Sequence, residues 1–420
     1  MEAKAGLTVT GVRVTPVAMK EAPLRNVNGI HQPYALRSII EVETDAGLVG
    51  LGESYGGQAH LDRLREVAPR LRGLDAFDLH GLERAAGASP SGPMPGAAAQ
   101  LMSGFEVAFL DVQGRAAGRA VAELLGGRCR DRVPYAAYLF FRHAHHAPAA
   151  GYDEDGWGEA MDTDGIVRQA KAMVDRYGFG SLKLKGGVLP APDEVDAILA
   201  LRDAFPEHPL RLDPNTGWDV PTGIEVGRRL TGVLEYLEDP TRGIEDMARV
   251  AAAVDVPLAT NMCVIEFAHI PPAVAAGAVQ VILSDHHYWG GFRRSQRLAG
   301  ICDTFGIGLS MHSNSHLGIS LAAMTHLAAA TPNLTYACDT HTPWQREDVI
   351  EPGVLSIVDG AVAVPEGPGL GVELDRDALA RLHEQYERCG IRERDDVTPM
   401  RAIDPAWEGR GRNLSPEHWR

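Results

Sequence analysis

Residues 179–187 read FGSLKLKGG, and the segments that follow read RLDPNTGW (211–218), YLEDP (236–240), PLATN (257–261), VILSDHHYWGG (281–291) and GLSMHSNSH (308–316). Each is a short apolar run that ends in polar residues: Lys183 and Lys185, then Asp213 and Asn215, Glu238, Asn261, Asp285 and His312. Counted from Lys185, these ends lie 28, 25, 23, 24 and 27 residues apart, about one strand-helix unit each time. Helical stretches such as DEVDAILALRDAF, GIEDMARVAAAV and GGFRRSQRLAGICDTFG fill the intervals. Repeated strand-helix pairs imply an α/β fold. An open doubly wound sheet places its ligand at one switch point, whereas a barrel brings many strand ends around one mouth, so the run of polar ends favours a barrel. No GxGxxG with its following acid and no P-loop occurs, which removes support for nucleotide-binding folds.

Upstream the pattern differs. LTVTGVRVTPV (7–17) alternates, and YALRSIIEVETDAGLVGLGE (34–53) reads as two strands joined by an Asp-Ala-Gly turn. Residues 97–117 become helical, with Phe105, Ala108, Phe109, Val112 and Ala116 at helical spacing. The expected division is an α+β capping domain over 1–132, a catalytic barrel over 133–360, and a segment over 361–420 that carries one helix and returns to the capping domain.

The 420 residues can fill two cores. Apolar residues at 45% and charged residues at 23% are ordinary for a globular protein and exclude global disorder. A formal charge of -16, from 40 basic and 56 acidic side chains, argues against a non-specific nucleic-acid surface. It does not exclude a bound dianion, since a metal and a few lysines can dominate the local field. Cys129, Cys263, Cys302, Cys338 and Cys389 are irregularly spaced with no CxxC, so neither a disulfide framework nor a structural zinc is expected. MEAKAGLTVTG at the start lacks an apolar signal core, and no later segment has 18 uninterrupted apolar residues. The expectation is a cytoplasmic protein without a membrane or nucleic-acid partner, with a surface that allows a homo-oligomer.

Asp213, Glu238 and Asn261 put oxygen ligands at three successive strand ends, the donor type that magnesium takes. Individually each acid also reads as a cap or turn residue. Lys183 and Lys185 lie two apart, so a strand sends both to one face, and a barrel has no edge strand on which they would be solvated. Mutual repulsion and a nearby cation are expected to lower a lysine pKa and make it a usable base. Asp285 and His312, one strand-helix unit apart, can pair so that the carboxylate fixes the imidazole tautomer, while His286, His287 and His316 read as supporting or surface residues. Together these groups suit removal of a proton alpha to a carboxylate. A cation and an ammonium steady the enediolate, bases stand on two faces, and an acid releases a beta hydroxyl.

These residues resemble the enolase superfamily and, within it, the glucarate dehydratases. LKLKGG resembles the family's Lys-x-Lys motif, and RLDPNTGW, YLEDP and LATNM resemble its three metal-ligand segments, with asparagine at the third; SDHHYWGG and MHSNSHLGIS extend the match. The resemblance covers nearly the whole chain and implies a modified TIM barrel, (β/α)7β, with its capping domain. It also implies Mg2+ held by Asp213, Glu238 and Asn261, and a sugar diacid such as glucarate as substrate. Lys185 and His312 become the bases, Asp285 the partner of His312, Lys183 the enediolate stabiliser, and Asn215 an assistant beside the metal. NVNGIHQPY implies substrate contacts from Asn26 and His31, and further contacts fall on Ser103, where the family often has threonine, Tyr138, Phe140, His341 and Arg394. A guanidinium suits a distal carboxylate because its fork pairs with both oxygens.

HSNSH stands where the family usually has HSNNH, and RHAHHAPAAGYDEDGW (142–157) is a distinctive loop, so galactarate, idarate or another acid sugar remains open. A racemase or epimerase using the same two bases, and an inactive barrel with a structural or interaction role, are the alternatives.

Overall fold

The computed structural model describes residues 7–87, 96–143 and 151–409. Residues 144–150 of the distinctive loop at 142–157 and the end of the tail at 410–420 lie outside the described residues.

Eight parallel strands form the catalytic half: Arg132–Phe140, Leu182–Lys185, Leu210–Asp213, Tyr236–Glu238, Leu258–Thr260, Val281–Ser284, Gly308–Met311 and Cys338–Thr340. The first seven pair in chain order, and the eighth pairs in parallel with the first. Leu309 O accepts the main-chain N–H of Thr335 at 2.9 Å and of Tyr336 at 3.1 Å, closing the ring between the seventh and eighth. Strands two to six are buried along their whole length, as expected where helices cover a parallel sheet.

Seven helices follow the first seven strands: Thr163–Tyr177, Ala191–Ala204, Val220–Arg229, Gly243–Ala251, Ile270–Ala276, Phe292–Phe305 and Gly318–Ala329. The eighth strand is followed only by a 3-10 turn, Thr342–Trp344, so the barrel is (β/α)7β. Local sequence sets these boundaries. Asp162 and Asp219 cap helix starts by accepting N–H groups of Gly165 and Thr222, and Gly178, Gly277 and Gly306 end helices in the left-handed conformation.

The capping half is a three-stranded antiparallel sheet, with Tyr34–Thr44 between Val9–Lys20 and Val49–Tyr55. Helix Gly96–Ala117 lies across it at backbone distance. A Cβ on Gly52 would stand 2.0 Å from Gly104 O and one on Gly50 2.1 Å from Ala108 O, so only glycine permits this approach.

The tail first stays with the barrel. Ala361–Ala363, beyond the expected boundary at 360, pairs antiparallel with Arg132–Pro134. It then crosses to the capping sheet, where helix Arg376–Cys389 lies along Val9–Lys20: His383 Nδ1 and Gln385 Nε2 each reach a carbonyl there, Pro16 O and Ala18 O, at 2.8 Å. All five cysteines are free. Among the described residues no helix is long and apolar enough to cross a membrane.

Candidate active site

Parallel register brings the strand ends into one ring. Phe140 stands beside Lys185 and Lys185 beside Asp213, so Lys185 Nζ donates to Asp213 Oδ2 at 2.7 Å and Tyr138 OH to the same oxygen at 2.8 Å. One layer deeper, Lys183 is fully buried with Nζ 2.6 Å from Asp339 Oδ2, 2.6 Å from Glu238 Oε2 and 3.6 Å from Asp213 Oδ2. The lowered pKa expected of a crowded lysine is not what Lys183 has. Burial pulls it down, but the carboxylates of Asp339 and Glu238 outweigh burial and hold it well above its ordinary value. Lys183 is therefore a fixed cation.

Asp213, Glu238 and Asp339 place three carboxylates around two ammonium groups, leaving an excess of buried negative charge. Glu238 carries the consequence: burial and then the Asp213 charge push its pKa well up, whereas Lys185 and Lys183 overcome burial and hold Asp213 down at about 2. Among the described residues neither oxygen of Glu238, nor Oδ1 of Asn261, has a hydrogen-bond partner, although Lys183 lies at ion-pair distance from Glu238. Unsatisfied buried oxygens are costly. A divalent oxygen-seeking cation would satisfy them and balance the charge, so this trio fits Mg2+. Asp285, His286 and His287 also bring ligand atoms within 4.8 Å of one another. Two of these residues spend those atoms on each other and on neighbours, which makes the trio a poor competitor.

His312 Nδ1 donates to Asp285 Oδ2 at 3.0 Å, the expected pair, and that bond leaves Nε2 as the atom free for chemistry. Asp285 Oδ1 accepts from His287, both from Nδ1 at 2.9 Å and from the main-chain N–H at 2.8 Å. Burial raises the Asp285 pKa, but the neighbouring imidazoles of His287 and His312, which both donate hydrogen bonds to it, hold it well below the usual carboxylate range.

A cavity of about 330 Å³ opens between barrel mouth and cap. Lys185, Asn215, Asn261, His312, Tyr138, Phe140 and His341 line it from the barrel, Asn26, His31 and Arg37 from the cap, and Arg394 from the tail. Asn215 has φ 55, and its Nδ2 donates to Met262 Sδ at 2.9 Å. His341 is held well below its ordinary pKa by burial and the neighbouring imidazoles, and its Nδ1 is a buried atom without a partner among the described residues.

Asn26 and Arg394 are tied to each other through the tail. Asn26 Nδ2 donates to Asp396 Oδ2 at 2.7 Å, and Arg394 Nε and Nη2 both reach the same oxygen at 3.0 Å. His31 Nδ1 donates to Glu21 Oε1 at 2.8 Å, and Glu21 also accepts from Ser315 Oγ of the barrel.

Ser103 is a correction. It is fully buried in helix Gly96–Ala117, donates to Gln100 O at 2.8 Å and is not among the residues that line the cavity. Asp339 and Arg37 are not singled out by the sequence, and His287 reads there only as a supporting or surface residue. Asp339 sits in CDTHTPW, two residues before His341 at the eighth strand end, and could have been found by continuing the strand-end series. Nothing local distinguishes Arg37.

Residues 9–126 match the family described as mandelate racemase / muconate lactonizing enzyme, N-terminal domain, and residues 165–378 match enolase C-terminal domain-like. The chain belongs to the enolase superfamily. Among its superfamily relatives is a probable glucarate dehydratase of Streptomyces coelicolor, 51% identical over 96% of this chain and 97% of that protein, which makes the chain glucarate dehydratase-like. An enolase of Mycobacterium smegmatis complexed with tartrate is 57% identical, with 99% of each chain covered and a TM-score of 0.92. An enolase of Pseudomonas fluorescens, with bound magnesium, potassium and tartrate, is 50% identical over 96% of this chain and 98% of that one, also at a TM-score of 0.92.

Proposed function

We propose that this enolase-superfamily protein is a magnesium-dependent acid-sugar dehydratase that converts a diacid such as glucarate to a keto-deoxy diacid. The observation that carries the reading is the meeting in one cavity of Lys185 and of His312, held by Asp285, beside Glu238 Oε1 and Asn261 Oδ1, buried oxygens without a hydrogen-bond partner among the described residues. The dicarboxylate tartrate bound by two relatives supports a diacid.

Asp213, Glu238 and Asn261 would hold Mg2+, which would supply positive charge to offset the negative charge that develops on the substrate carboxylate. Lys183, fixed as a cation by Asp339, adds to that positive charge. Lys185 Nζ and His312 Nε2 face the substrate from opposite sides, and the base on the proton's side takes it from the alpha carbon. His312, carrying a proton on Nε2, gives it to the beta hydroxyl, which leaves as water, and the resulting enol becomes the ketone. Asn215 assists beside the cation. Asn26, His31, Tyr138, Phe140, His341 and Arg394 bind the rest of the diacid, and the cavity selects among its stereoisomers. Residues 1–132 act as the cap, 133–360 as the catalytic barrel, and the tail completes the cap. We assign the protein to the cytoplasm as a homo-oligomer without nucleic-acid or membrane partners.

The test is a panel of aldaric and aldonic acids incubated with magnesium in deuterium oxide, following keto-product formation and solvent hydrogen exchange. The expected result is a keto-deoxy diacid from the natural chain and none from Lys185→Ala or His312→Ala, both folded. Exchange with epimer formation alone would make it a racemase or epimerase, and normal dehydration by either variant would contradict the two-base assignment.

A further inference from the structure

Asp285 serves two rings, and the second leads out of the barrel. The far edge of His287 is engaged as fully as the near one: Nε2 lies 3.0 Å from Arg37 Nη2 and 3.0 Å from Ser320 Oγ. A guanidinium can only donate, so Nε2 is an acceptor and the ring proton sits on Nδ1, aimed at Asp285. Arg37 belongs to the middle strand of the cap and lies 250 residues away in the chain. Its Nε is held at 2.6 Å by Glu53 Oε1 on the adjacent cap strand. Glu53 in turn accepts the main-chain N–H groups of Leu317 and Ser320, both at 2.9 Å, where the seventh barrel helix begins. Arg37, Glu53, His287 and Asp285 are all buried, so this chain of donors and acceptors has little competition from water.

We propose that His287 and Arg37 are positioning residues for His312, orienting Asp285 so that the base on one face of the site depends on docking of the capping sheet. Lys185 is anchored differently, on Asp213 within the barrel, and does not share this dependence. The inference rests on the reading of His312 and Lys185 as the two bases. Its physical content is that a carboxylate held by one ring alone can turn, and an imidazole whose partner turns loses the alignment that proton transfer requires.

The test uses the full-length, magnesium-loaded protein and three variants: His287→Leu, which removes the donor, His287→Asn, which keeps an N–H near the position of Nδ1, and His287→Leu combined with His312→Ala. His287→Leu is expected to lower kcat for dehydration roughly 10- to 100-fold while KM moves less than about threefold. His287→Asn should recover most of that loss. In the His312→Ala background, His287→Leu should leave Lys185-dependent exchange of the alpha hydrogen unchanged, because its only effect runs through a ring no longer present. A His287→Leu enzyme with natural kcat, or an equal loss of exchange in the His312→Ala background, overturns the proposal. Nitrogen NMR of ring-labelled histidine separates this outcome from a failure of the dehydratase reading, since it needs no substrate. His287 should carry its proton on Nδ1 alone and lose that single tautomer in Arg37→Met; a proton on Nε2 in the natural chain overturns the relay even if dehydration is observed.

Discussion

Asp339→Asn removes one charge from the middle of the barrel and leaves the shape of the side chain nearly intact. Asp339 Oδ2 is 2.6 Å from Lys183 Nζ, Oδ1 is 3.9 Å from Arg211 Nη1, and all three side chains are buried. At 2.6 Å and an effective dielectric constant of about 20, Coulomb's law gives roughly 6 kcal/mol of attraction to Lys183. Not all of it is lost, since an amide oxygen still accepts from the ammonium. Removing one partner of a buried pair costs about 3–5 kcal/mol, and the lower end applies because Glu238 Oε2 remains 2.6 Å from Lys183. About 3 kcal/mol in a domain of this size lowers the melting temperature by roughly 6–12 °C. Calorimetric melts of the natural chain and Asp339→Asn, with and without magnesium, read the effect. It should be larger with magnesium present, because a cation drawing on Asp213 and Glu238 leaves Asp339 as the main counter-charge of Lys183. A melting temperature within about 2 °C of the natural chain under both conditions would refute the reasoning.

Asn261→Ala should raise the magnesium concentration for half-maximal turnover roughly tenfold with little change in melting, and an unchanged titration removes Asn261 from the ligand set. Gly52→Ala would place a Cβ 2.0 Å from a backbone oxygen of the packed helix, and urea unfolding should report a loss at or above the upper end of the usual 1–3 kcal/mol for overpacking, about 3 kcal/mol; an unshifted midpoint would mean that helix and sheet are not so closely seated. His326 donates from Nε2 to Leu370 O at 3.0 Å and accepts at Nδ1 from Ala122 N at 3.3 Å, and burial lowers its pKa from 6.5 to about 4. A base whose folded value is depressed favours the neutral ring, so its contribution is complete above 6.5 and declines as pH falls toward 4, by about 3 kcal/mol at about 1.4 kcal/mol per pH unit. His326→Gln should flatten urea stability over that window, and an unaltered pH slope would contradict the assignment.

Much of the site was legible because a barrel turns a one-dimensional spacing into a ring. Lys185, Asp213, Glu238, Asn261, Asp285 and His312 each end a strand, and strand ends are local events marked by a change from apolar to polar residues. The misreadings have the opposite origin. Ser103 looked available because a hydroxyl in sequence carries no sign of which helix face it occupies. Lys183 looked destabilised by its neighbour Lys185 because the carboxylate that most raises its pKa, Asp339, is 156 residues away.

By itself, then, the chain determined the alternation of strands and helices, the caps that end them, and the oxygen, ammonium and imidazole groups presented at the mouth, all set by interactions a few residues long. Only the tertiary structure decided which charges balance, that Arg37 of the cap reaches His287, and that the tail pins Asn26 through Asp396. The physical reason is that electrostatics and hydrogen bonding depend on distances of 3 to 4 Å through space and on burial. Chain closure sets both, and neighbouring residues do not encode them.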